Sequence, residues 1–151
     1  MTPTLRGRIE SRLFLLGTVG VIWTAWISAV LPRPAMASVG RVYGITFRAL
    51  AFMAVAGIAW ELIYHGLQQL RWNKDWPSLF GLLTAINEGV VTWLALHALN
   101  VMPGTSGWSS PLRSMFLIFF LTTWLAIWLF MQGPLRVVVL RWRFEGGRIR
   151  L

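Results

Sequence analysis

"ALAFMAVAGIAWELIYHGLQQL", residues 49–70, runs between Arg48 and Arg71 and decides the fold class. About twenty apolar residues rising about 1.5 Å each cross roughly 30 Å of hydrocarbon. No water reaches the backbone there, so such a run must be helical. Yet Glu61 and, one helical turn on, His65 sit inside it.

Three more runs lie on either side, at 13–31, 77–99 and 114–132, each bounded by charge or by turn residues such as Pro32 and Gly133-Pro134. The chain of 151 residues is 56% hydrophobic and holds ten Trp. Its charge is gathered into short segments between the runs, unlike the interspersed charge of a soluble domain. The reading is an all-α integral membrane protein of four transmembrane helices: an N-terminus at 1–12, a transmembrane domain at 13–132 and a basic tail at 133–151. No repeat of solenoid length occurs.

The net charge is +9, from fourteen basic residues against five acidic. In a membrane protein this means basic loops held in the cytoplasm against anionic headgroups, not nucleic acid. Ten basic residues flank one side: Arg6, Arg8, Arg12, Arg71, Lys74, Arg136, Arg141, Arg143, Arg148 and Arg150. The other side carries Arg33, Arg41, Arg48 and Arg113. The positive-inside rule then places both termini in the cytoplasm, and the expected location is a bacterial cytoplasmic membrane. Ala35-Met36-Ala37 resembles a signal-peptidase site, but the apolar stretch before it is longer than a signal h-region, which favours a retained anchor. There is no cysteine, hence no disulfide or thiolate metal site.

Glu61 lies ten residues before Arg71, about 15 Å from the cytoplasmic edge at helical rise. Glu88 lies twelve residues after Trp76, about 18 Å from the same edge. The short loop between the two runs makes them antiparallel neighbours, so both carboxylates fall near one depth. At about 100° per residue, Ala54, Gly57, Glu61, His65 and Gln68 share a stripe. Gly81, Thr84, Ala85, Glu88, Thr92 and Ala95 form another, and Gly17, Gly20, Thr24 and Ser28 a third. Small residues allow close packing in lipid. The fourth run, with Phe116, Phe119, Phe120 and Trp124, is bulky all round and reads as peripheral.

An ionised side chain at the bilayer centre costs at least ~2.5–3.5 kcal/mol. With arginines placed only at the span edges, the expected states are a protonated Glu, two Glu sharing a proton, or a Glu paired with His65 or with a cation from outside the chain. Two roles follow for Glu61, His65, Thr84, Asn87, Glu88 and Thr92: an ion or proton pathway, or a polar helix contact. His97, on the opposite face, reads as interfacial packing. No nucleophile–base pair, phosphate loop or dinucleotide fingerprint is present, and the ligand count argues against a metal or haem site. No cofactor is expected.

In the tail, Leu140, Trp142 and Phe144 alternate with Arg141, Arg143 and Glu145 ahead of Gly146-Gly147. That pattern reads as a β-hairpin pairing Glu145 with Arg148, Phe144 with Ile149 and Arg143 with Arg150. Its basic and aromatic faces (Arg141, Trp142, Arg143, Phe144, Arg148, Arg150) would dock on the membrane surface or on a partner. The functional expectation is a non-enzymatic subunit or assembly partner of a larger membrane complex. The alternative is a homo-oligomeric proton- or cation-coupled transporter using Glu61 and Glu88.

Overall fold

The computed structural model describes residues 4–33, 37–70, 78–99 and 110–139. They form four long helices and a short one: α1 (Leu5–Val30), α2 (Val39–Gln69), α3 (Ser78–Ala98), α4 (Ser110–Gln132) and α5 (Pro134–Val138). Three stretches, Leu5–Val30, Val39–Gln69 and Leu112–Val138, are long and apolar enough to cross a membrane, consistent with an integral membrane protein. Among the described residues every regular element is helical.

Local chemistry sets the ends. Thr4 caps α1 by accepting the Gly7 N–H at 3.2 Å, and Ser38 caps α2 by accepting the Arg41 N–H at 3.3 Å. Leu31 turns extended, at ψ 144°, because Pro32 follows it. Gly133 interrupts α4, and Pro134 opens α5 at a first-turn position that needs no N–H. The chain therefore breaks at Gly133-Pro134, as expected, but continues as one helical turn to Val138. The expected hairpin at Gly146-Gly147 lies outside the described residues.

Both of the first two helices begin well before their apolar runs. α1 starts at Leu5, so Arg8 and Arg12 are helical residues of its first turns instead of flanking it. α2 has 31 residues, about 46 Å, and carries Arg41 and Arg48 exposed on its first turns.

The neighbours around the bundle are α1 with α2, α2 with α3, α3 with α4 and α4 with α1. Ser28 meets Thr46 hydroxyl to hydroxyl at 2.7 Å, and the Tyr43 hydroxyl donates to the Ala25 carbonyl at 2.9 Å. Further along, Arg12 lies over Gly57, so the α1–α2 contacts advance in opposite directions. The α3–α4 seam is aromatic. Trp93 meets Phe116 at a tilt of 54° with centroids 4.9 Å apart, and a methyl on Gly89 would come within 2.9 Å of Phe120.

Two expectations change here. α4 is not peripheral: Met115, Phe116, Phe119 and Phe120 are buried in the core, where Gly89 of α3 leaves room for Phe120. On the first helix, Gly20, Thr24 and Ser28 are buried, whereas Gly17 is exposed. The outward faces remain strongly apolar, with Ile22 and Val55 each 72% exposed, which suits a hydrocarbon surrounding and not water.

Candidate functional site: a buried arginine–glutamate network

The cause of Gly17's exposure also builds the site. Residues Leu16–Gly20 form a π turn within α1. In an unbroken α-helix, at about 100° per residue, Arg12 and Gly20 would point about 80° apart. A π turn absorbs one extra residue, which brings them within about 20° of each other. Arg8 and Arg12 thereby join the buried face that continues as Gly20, Thr24 and Ser28.

Both arginines then reach the glutamates. Arg12 Nη1 donates to Glu61 Oε1 at 3.0 Å and to Glu88 Oε1 at 3.1 Å, while its Nη2 donates to Glu88 Oε2. Arg8 donates from Nη1 to Glu61 Oε2 at 3.2 Å and from Nη2 to Gln68 Oε1 at 2.9 Å. Glu88 is 3% exposed and Gln68 1%. Because α1 and α3 sit across the bundle from one another, the Arg12–Glu88 pair runs through its interior.

Gly57 admits the arginine. A Cβ there would fall onto Arg12, 2.7 Å from Cζ and 3.0 Å from Cδ. Beside Glu88 lies the Tyr64 hydroxyl, which accepts from Asn87 Nδ2 at 2.9 Å. Tyr64 and Asn87, with Leu67, Phe80, Leu83 and Thr84, line an open groove of about 230 Å³ between α2 and α3.

Chemically, this is two cations and two anions held as a formally neutral set. Left alone in hydrocarbon, each would cost at least ~2.5–3.5 kcal/mol; the forked Arg12–Glu88 pair is the geometry that offsets such a cost best. The expectation that the glutamates have no basic partner within the chain is thus corrected: Arg8 and Arg12 are those partners. A hydropathy reading misses them because it ends a span at the first charge. The signal that could have found them is their spacing of four, which puts both on one helical face.

The other expected site residues divide. Glu61 and Glu88 meet through Arg12, and Asn87 donates to the Tyr64 hydroxyl beside Glu88. His65 stays outside among the described residues: its Nε2 lies 3.5 Å from Gln69 Nε2, and its Nδ1 is buried without a partner. Thr84 bonds back to the Gly81 carbonyl at 2.8 Å. Thr92, 3% exposed, lies one turn beyond Glu88. His97 bonds to the Trp93 carbonyl at 3.1 Å and packs on its ring. Arg141, Trp142, Arg143, Phe144, Arg148 and Arg150 lie outside the described residues.

No protein-family model matches this chain, and neither the curated proteins nor the solved structures give a match.

Proposed function

We propose that this is a small multi-pass protein of a cytoplasmic membrane, crossing it four times with both termini inside, and that it serves as a non-enzymatic subunit or assembly partner of a larger membrane complex. The observation that carries this reading is the internal neutralisation of Glu61 and Glu88 by Arg12 and Arg8. A carboxylate that ferries a cation must exchange partners. Here the four charges pair with one another over Gly57 and pin α1 against α2 and α3. A bundle closed this way is a building block whose apolar outer faces are left for lipid or for neighbouring helices. The fourth span is α3, and the orientation follows from the ten basic residues on one side.

The test is the mass and composition of the complex, gently extracted from its native membrane through a small affinity tag. A stoichiometric second protein, lost when Arg12→Gln loosens α1, is the expected result. A clean homo-oligomer would reject it.

One observation favours a second reading, proton- or cation-coupled transport. Asn87 and the Tyr64 hydroxyl line the groove and lead to Glu88, the partner of Arg12. In that case Glu88→Gln would abolish an ion flux into vesicles while leaving the assembly intact.

A further inference from the structure

The network divides unevenly between its elements. Both cations come from the first turns of α1, and the acceptors Glu61, Gln68 and Glu88 come from α2 and α3. The acceptor half is shaped for a planar, forked cation. Glu88 takes both terminal nitrogens of Arg12, and Glu61 closes on Nη1 from the other helix at 3.0 Å. Beneath them the floor is bare backbone, since a methyl at Gly57 would come within 2.7 Å of Arg12 Cζ. A guanidinium lies flat on such a floor and offers paired donors, whereas an ammonium is a hydrated point charge that does neither. Arg12 Nε is buried with no hydrogen-bond partner. Recognition therefore rests on the terminal fork alone, the part that a small guanidinium also possesses.

The segment carrying the occupant, Leu5–Leu15, joins the rest of α1 through the π turn. Helices bend where such turns interrupt their ladder, and at Gly17 an added side-chain atom would meet nothing within 4 Å.

We propose that Glu61, Glu88 and the Gly57 backbone form a guanidinium-binding site whose resident occupant is Arg12. Small alkylguanidinium cations compete with Arg12 for it and so release Leu5–Leu15 about the π turn. The site exists whether the protein works alone or inside a complex, so its failure would leave the proposed function standing.

The absence of cysteine gives a clean reporter. Ser11, 4% exposed beside the network, is changed by Ser11→Cys, and maleimide labelling of the full chain in lipid nanodiscs is timed. Ethylguanidinium, ethylammonium and sodium chlorides are compared at equal ionic strength, below denaturing concentrations. Ethylguanidinium should speed labelling several-fold, with ethylammonium no faster than sodium. Equal rates in all three, or equal acceleration by all three, overturn the proposal. A second variant, Arg12→Ala, vacates the site. Guanidinium should then raise its thermal midpoint by several degrees above ammonium, and adding Glu88→Gln should erase that rise. A rise that is absent, or that survives Glu88→Gln, overturns the proposal as well.

Discussion

Glu61 and Glu88 need a cation, and Arg12 reaches both because Gly57 leaves space for its stem. Removing one partner of a buried pair strands the others, at a cost of about 3–5 kcal/mol. Arg12→Ala should therefore lower unfolding free energy by that amount in detergent titrations. Arg6→Ala should change it by less than about 0.5 kcal/mol, since the Arg6 side chain is 56% exposed and its pair with Glu10 is a surface one. The glycines of α2 offer a sharper comparison. Gly57→Ala should destabilise, because its methyl must displace Arg12, whereas Gly66 has nothing within 4 Å of an added Cβ. Gly66→Ala should leave stability unchanged or raise it by up to about 1 kcal/mol through helix propensity. Thermal midpoints of the two variants check this. At this scale the stripe Gly57, Glu61, Gln68 was legible from helical periodicity. The arginines were not, because nothing in a linear hydropathy pattern says that a charge at a span's edge can turn inward.

The π turn Leu16–Gly20 acts at the level of the element. Deleting one residue from it, for example Val19, should restore regular α-helix and keep Arg8 and Arg12 on the buried face, whereas inserting one alanine after Val19 should swing them about 100° off it. The insertion should then lose as much stability as Arg12→Ala, and the deletion clearly less. The same level governs α4. Phe120 packs over Gly89, so Gly89→Val should cost about 1–3 kcal/mol by overpacking, read from the same titrations. The helical character of all four runs could be read from composition and length. The burial of α4 could not, since its side chains are bulky on every face, and only the small residues opposite decide which side turns inward.

For the whole molecule, the proposed orientation rests on the charge asymmetry, and labelling checks it. With no native cysteine, Lys74→Cys should react only with a reagent on the cytoplasmic side, and Ser106→Cys only with one on the other side. The reverse pattern would invert the topology. The larger claim is that the bundle is fastened by a formally neutral set of charges crossing its interior from α1 to α3. A double-mutant cycle between Arg12→Gln and Glu88→Gln, measured as unfolding free energies of the full chain in one detergent, addresses it directly. If the pair is the fastener, the double variant will lose less than the sum of the single losses, with a coupling of about 1–3 kcal/mol. Losses that add to within about 0.5 kcal/mol would mean that Arg12 and Glu88 act independently, and the fastening claim would fall.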